Sequence, residues 1–218
     1  MLIDRNTFQK QFEEETLKIA FIGMSNIGKS IRTEQFRQIK NVETSSVDDV
    51  IAQKMKKEGM AGMVEWMGYP FEEKYKEAEE EYLELENKMT LGKIPKKKNY
   101  VLDTTGSFIY LEPETIDFVQ KNFLVVNLDC SEMMLKVMIE DFFLTPKTIV
   151  WGNFFEKKEG EREIDALRRC YPNLLRNRIH RYRELADINI PGEISRNEHI
   201  SPERFWEILF YALPKKLS

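Results

Sequence analysis

An α/β fold, with a five-stranded parallel sheet flanked by helices in three layers, is predicted by three observations. Apolar runs alternate with amphipathic stretches of helical length. The runs are short and nearly continuous, as strands covered on both faces must be, and a glycine-rich turn joins the first run to the first helical stretch. With 218 residues the chain is long enough to bury a substantial core, and one domain over residues 1–218 is expected.

Three runs carry the strand prediction most clearly: "KIAFIG" at 18–23, "YVLDTTG" at 100–106 and "FLVVNLD" at 123–129. Two weaker runs, "QIKNVET" at 38–44 and "DINIPG" at 187–192, complete five strands. Helices are expected over 28–37, 47–58 and 71–89, the last with Tyr75, Ala78, Tyr82 and Leu85 on one stripe and glutamates elsewhere. After the strand at 123, Ser131 is a cap candidate with Glu132 in the first turn, and Ser201 before Pro202 starts a C-terminal helix. Met55, Met60, Met63 and Met67 with Trp66 read as a packed helix face that also suits an apolar pocket wall. The charged stretches at 91–100 and 154–163 read as solvated connections.

Composition narrows the function. Hydrophobic residues make up 42% and charged residues 32%, with a net charge of −4. That balance suits a globular chain and argues against a nucleic-acid or anionic-membrane binder, which needs a basic field. Cys130 and Cys170 are too few for a disulfide framework and lack zinc-ligand spacing with His180 and His199. No run approaches membrane-spanning length and the N-terminal stretch lacks a signal-peptide core, so a cytoplasmic setting is expected.

The glycine-rich turn, "GMSNIGKS", satisfies the Walker A pattern G-x-x-x-x-G-K-[ST] with Gly23, Gly28, Lys29 and Ser30. The intervening Met24, Ser25, Asn26 and Ile27 offer their backbone N–H groups to phosphates. Lys29 reaches the β- and γ-phosphates, and Ser30 presents a hydroxyl to Mg²⁺ at the positive start of a helix. Chance produces this pattern in a chain of this length on the order of 1% of the time, and the flanking strand and helix lower that further. ATP and Mg²⁺ are the expected cofactors.

Several separated stretches together resemble shikimate kinases, P-loop kinases that phosphorylate a hydroxyl of a carboxylated ring. "SVDDVIAQKM" sits at that family's Asp-Thr-Asp-x-x-Ile, with Ser46 at the first aspartate and Asp48 at the second. "YKEAEEEYL" is similar to Phe-Arg-x-x-Glu-x-x-x-Leu, with Tyr75, Lys76, Glu79 and Leu83 on its four positions. "VLDTTGS" resembles the Ala-Thr-Gly-Gly-Gly strand end, keeping Thr104 and Gly106 while Thr105 and Ser107 replace two glycines. "VVNLDCSEMMLKVMI" fits the strand and helix that follow. "RIHRYRELAD" resembles Arg-x-Pro-x-Tyr-x-Glu-x-Ala-Asp through Arg178, Tyr182, Glu184, Ala186 and Asp187. The resemblance spans about 17–213. It makes about 45–90 the acceptor-binding region and about 145–165 the lid, and leaves 1–16 as an N-terminal arm.

This resemblance implies a three-layer P-loop kinase fold and ATP-dependent phosphorylation of a small hydroxy acid, shikimate first. The alternatives are a kinase for another hydroxylated metabolite and a nucleotide-binding module without catalysis. Asp48 would orient or deprotonate the acceptor hydroxyl, with Asp49 competing for that assignment, and Arg178 would bind the acceptor carboxylate unless it caps its helix or lies at the surface. Gly106 would remain from the glycine triplet. Lys76 would replace a second arginine, or else be a solvated helix charge beside Glu72 and Glu80. At the metal, Ser46 lacks the charge of the aspartate it replaces. Asp103, at the end of its strand, has the placement of a Walker B carboxylate that would compensate beside Ser30, or else is a hydrogen-bonded strand end. No arginine occurs between Arg37 and Arg162, so Lys147 and Arg162 are the candidates to replace the lid arginine that the resemblance implies.

Overall fold

The computed structural model describes residues 2–55, 59–144 and 149–216, with 59–61 described in backbone only. Its strands are β1 (Lys18–Ile22), β2 (Val42–Ser46), β3 (Asn99–Asp103), β4 (Leu124–Asp129) and β5 (Ile188–Pro191), in the order β2-β3-β1-β4-β5. Every pairing is parallel. Parallel neighbours need crossover helices, and helices cover both faces of the sheet. The central strands β1, β3 and β4 are therefore buried almost throughout, which is why they read as unbroken apolar runs.

The helices are α1 (Arg5–Glu13), α2 (Lys29–Arg37), α3 (Val47–Met55), α4 (Gly59–Met67), α5 (Tyr75–Thr90), α6 (Pro113–Asn122), α7 (Glu132–Leu144), α8 (Glu163–Leu185), α9 (Gly192–Ser195) and α10 (Pro202–Ala212). Crossovers between parallel strands are right-handed. The step from β1 to β2 runs one way along the sheet and places α2 on one face. The later steps run the other way and place α5, α6 and α8 opposite. After β5 the chain returns to the α2 face, where Phe205 of α10 packs on Phe21 and edge-on to Phe36.

Element boundaries differ from the sequence reading in several places; α5, for one, begins at Tyr75 rather than 71. β2 begins at Val42 rather than 38, because Gln38 and Ile39 close α2 through hydrogen bonds to its last turn, and Asn41 then turns the chain in the left-handed region at φ 64°. Within the expected N-terminal arm, Arg5–Glu13 form α1, capped by Asp4. Arg5 donates to the carbonyls of Phe210, Tyr211 and Leu213 at the end of α10, while Phe8 and Phe12 pack on Trp206. A cation at a helix C-terminus meets carbonyls that have no partner within the helix. The Ser201 cap forms as expected, its hydroxyl accepting from Arg204 N at 3.2 Å.

Met63 and Met67 are buried in the core, as the packed-face reading required, while the Met60 side chain lies outside the described residues. Both cysteines are free and buried. Among the described residues, no helix is long and apolar enough to cross a membrane.

Candidate active site

In an open parallel sheet the site lies beyond the carboxyl ends of the strands, where neighbouring connections diverge. Here β1 sends its chain to α2 while β3, on one side, and β4, on the other, send theirs to the opposite face. A cleft of about 580 Å³ opens at that edge. Ser25, Asn26, Gly28, Lys29, Ser30, Ser46, Asp48, Gly106 and Arg178 all line it, so most of the sequence-predicted site residues converge there.

The loop between β1 and α2 has the expected cradle geometry. Gly23, Asn26 and Gly28 take positive φ, and Gly28 holds φ 100° at the head of α2. A Cβ on Gly28 would stand 2.5 Å from the Ser195 carbonyl oxygen, so only glycine fits this approach. Lys29 is buried, and its amine donates to the carbonyls of Gly23 and Met24, each at 3.0 Å. Burial pushes its pKa down, while Asp103, Asp48 and Glu86 pull it up. Gly23, Met24 and Ile27 are buried beneath the rim, and Ser30 faces the cleft.

Ser46 and Asp103 stand opposite one another in the β2–β3 register. The Ser46 hydroxyl accepts from Asp49 N at 3.2 Å, capping α3. Asp103 is buried, and neither of its carboxylate oxygens has a hydrogen-bond partner among the described residues. Its pKa is pushed up to about 6 by burial, against the pull of Lys29 and of the Ser30 hydroxyl, which lies nearby without bonding geometry. A buried carboxylate without donors is costly unless something else meets it. That orphaned group beside Ser30 and the cradle fits Mg²⁺, which uses one or two carboxylates and completes its shell with phosphate and water. Among the described residues, no cluster of three or more His, Cys, Asp or Glu has metal-binding geometry.

Asp48 sits in the first turn of α3. The open cleft leaves it with exposed surface, yet protein crowds its carboxyl closely. Desolvation raises its pKa, opposed by Lys29 and by the Tyr82 hydroxyl, which donates to Oδ1 at 3.2 Å. Asp49 also lines the cleft, one residue farther along α3.

Lys76 is a correction. It is exposed on α5 and does not line the cleft. The inner face of α5 is built by Tyr75, Ala78, Glu79, Tyr82 and Glu86, and Lys76 is turned about 100° from Tyr75. The same Phe-Arg-x-x-Glu spacing recurs seven residues later at Tyr82, Leu83 and Glu86, and that copy reaches the cleft. Tyr82 lines it, and Glu86 is fully buried behind it, bonded to the hydroxyls of Thr105 and, at 2.5 Å, Ser107. Burial pushes the Glu86 pKa up to about 7 despite those hydroxyls. The arginine position of this copy is Leu83.

Gly106 packs on the cradle, since a Cβ there would collide with the Ser25 hydroxyl. Its carbonyl accepts from Arg178 Nη1 and from the Tyr182 hydroxyl, both at 2.9 Å. Arg178 is buried rather than a surface or capping residue. Its Nη2 donates to Val150 O at 2.5 Å, and its Nε is sealed from solvent without a partner. Val150 is held in turn by Glu79, whose Oε1 accepts from Trp151 N at 2.6 Å and Gly152 N at 3.0 Å. The expected lid at 145–165 thus begins as a fixed wall at Ile149 and Val150; Lys147 lies outside the described residues. Arg162 is exposed, paired with Asp165 at 2.6 Å, and does not line the cleft.

The far side of the cradle holds residues that the sequence reading missed. The Ser195 hydroxyl donates to Ile27 O at 2.6 Å. Arg32, fully buried, donates to the carbonyls of Ile194, Ser195, Asn197 and Ile200 and so ties the 194–200 loop to α2. Arg196 of this loop lines the cleft beside Gly28.

This architecture matches solved structures. Shikimate kinase from Acinetobacter baumannii in complex with shikimate aligns with a TM-score of 0.58 at 18% identity, covering 91% of this chain and 96% of that one. The chain has the fold of the shikimate kinases. Shikimate kinase from Bacteroides thetaiotaomicron gives 0.54 at 16% identity, with 88% and 98% of the two chains covered. Shikimate kinase from Aquifex aeolicus gives 0.52 at 18%, with 88% and 96% covered. No family model and no curated protein matches the chain.

Proposed function

We propose that the protein is a Mg²⁺-dependent phosphotransferase that moves the terminal phosphoryl group of ATP to a hydroxyl of a small metabolite. The observation that carries this reading is the convergence of Lys29, Ser30 and Asp48 on one cleft, with Asp103, unpartnered among the described residues, buried within electrostatic reach of all three. The cradle amides and Lys29 would hold the β- and γ-phosphates, and Lys29 would offset charge on the transferring group. Ser30 and Asp103, with Ser46 adjacent, would hold Mg²⁺, which supplies charge neutralisation at the phosphates.

On the acceptor side, Asp48 would align the hydroxyl and take its proton. The new bond joins the acceptor oxygen to phosphorus, the bond to the ADP oxygen breaks, and the proton passes to the carboxylate. Its raised pKa makes Asp48 a better proton acceptor than an exposed aspartate. Ile149, Val150 and Arg178 would wall the acceptor from water.

Shikimate is the reference acceptor, supported by the sequence resemblance and by the complex of the Acinetobacter baumannii enzyme. A second reading, another hydroxylated metabolite, is favoured by Lys76 standing outside the cleft and by Arg178 bonding backbone carbonyls. The test is acceptor-stimulated ADP release from Mg-ATP across shikimate and related hydroxylated compounds, with Lys29→Met as control. Stimulated release that Lys29→Met abolishes supports the phosphotransferase. Tight nucleotide binding with no stimulation by any acceptor identifies a nucleotide-binding module without catalysis.

A further inference from the structure

We infer that Arg196, on the loop that follows α9, contacts the α- and β-phosphates of the nucleotide, and that the buried Arg32 is the positioning residue that holds it there. The inference rests on the phosphotransferase reading and adds a cation from outside the cradle sequence. Its first support is place. Arg196 is exposed and lines the cleft together with Gly28, Lys29, Ser30 and Ile31. Its backbone nitrogen lies 3.0 Å from where a Cβ on Gly28 would stand, so the loop runs in contact with the head of α2. Amides at the head of that helix cradle the α- and β-phosphates, while the lysine reaches on toward the γ-phosphate. A side chain rooted beside Gly28 therefore starts at the leaving-group end of the nucleotide, and a guanidinium matches phosphate oxygens with a planar fork of donors.

The second support is rigidity, since the loop is fastened on several sides. All five Arg32 N–H donors have partners: the carbonyls of Ile194, Ser195, Asn197 and Ile200, and Gln35 Oε1. Gln35 Nε2 donates to Ile200 O as well, at 3.1 Å. The Ser195 hydroxyl is bonded into the cradle at Ile27 O, and Arg196 N closes the turn onto Gly192 O at 2.9 Å. Gly192 packs so tightly on Asp129 that a Cβ would stand 2.6 Å from its carbonyl oxygen. The donors of a fully buried guanidinium are thus spent on residues to both sides of Arg196. A cation held in advance stabilises developing charge without reorganising when the reaction occurs.

The third support is charge. Asp48 and Asp49 line the cleft and Asp103 is buried close to Lys29, so a polyphosphate enters beside carboxylates. During transfer the bond from the γ-phosphorus to the bridging oxygen breaks, and its electron pair stays on the β-phosphate of ADP. A guanidinium at the α,β end meets that charge, while Lys29 serves the β,γ end.

The test is calorimetric binding of Mg-ADP and of Mg-tripolyphosphate, a phosphate chain without base or ribose, to wild type, Arg196→Met and Arg196→Lys. Because Arg196 is exposed and other side chains fasten its loop, both variants should keep the wild-type Tm. Arg196→Met should weaken both ligands at least tenfold, by factors that agree within about threefold, and Arg196→Lys should recover part of the loss because phosphate also accepts a point charge. Weakening of Mg-ADP alone, the mark of a base or ribose contact, overturns the inference, as does unchanged affinity for both ligands or failure of the wild type to bind tripolyphosphate. In an Arg32→Lys background, which keeps the charge but loses the carbonyl fork, Arg196→Met should weaken Mg-ADP by less than about threefold further; full additivity removes Arg32 as the positioning residue. Transfer is read separately: a wild type that binds both ligands and phosphorylates no acceptor refutes the phosphotransferase while leaving the phosphate contact of Arg196 intact.

Discussion

Replacing Glu86 with glutamine is expected to make the protein more stable at alkaline pH, and the size of the gain follows from its surroundings. Glu86 is fully buried, its hydrogen-bond partners among the described residues are the Thr105 and Ser107 hydroxyls, and burial pushes its pKa up to about 7 against 4.5 for a free glutamate. Because the folded-state value is raised, the folded protein holds a proton between pH 4.5 and 7 that the unfolded chain releases. Stability therefore falls as pH rises through that window, and the loss is complete above it. Taking about 2.5 pH units (7 − 4.5) at about 1.36 kcal/mol each gives a ceiling of about 3.4 kcal/mol. Relaxation around the charge reduces the realised penalty to about 2 kcal/mol, or about 4–8 °C in Tm for a chain of this size. Glutamine keeps the shape, and the two hydroxyls rotate to meet its amide. The assay is urea denaturation of wild type and Glu86→Gln at pH 8 and pH 4.5. The variant should be more stable at pH 8, with the difference closing at pH 4.5. A variant less stable than wild type at pH 8, or a difference independent of pH, refutes the account of Glu86 as a desolvated carboxylate.

Two further outcomes test other parts of the site. Asp103→Asn should abolish Mg²⁺-dependent ADP release, at least a hundredfold, while leaving nucleotide binding in chelator within about threefold; retained Mg²⁺-dependent turnover would remove Asp103 from the metal site. Arg32→Met strips a buried cation from four backbone carbonyls of the 194–200 loop. It should raise the KM for nucleotide at least tenfold without changing that for the acceptor, and cost about 3 kcal/mol of stability in urea. Arg32→Lys should recover only part of either.

The backbone geometry of the β1–α2 loop was legible because its constraints are local. Gly28, Lys29 and Ser30 are contiguous, and the backbone geometry they require follows from their identities. The sheet was legible for a related reason, since strands covered on both faces carry unbroken apolar runs. β2, at the sheet edge and half-exposed, reads weakly, and its start was placed four residues early.

The acceptor half depends on where along α5 the helix meets the cleft. Tyr75 with Glu79 and Tyr82 with Glu86 repeat at seven residues, two helical turns, and share one face. Sequence spacing alone does not separate the pair that holds Trp151 from the pair that lines the cleft. Lys76 was assigned to the site on the first pair and falls outside it on the second. The role of Arg32 was hidden because its partners lie more than 160 positions away and are backbone carbonyls, which leave no trace in residue identity.

The most direct test of the central claim is single-turnover transfer from γ-labelled ATP, in the presence of Mg²⁺ and the acceptor that most stimulates ADP release, followed by isolation of the labelled product. The account predicts a phosphomonoester on the acceptor, formed by wild type and lost with Lys29→Met. Label that appears only as inorganic phosphate, at a rate the acceptor does not change, would contradict it.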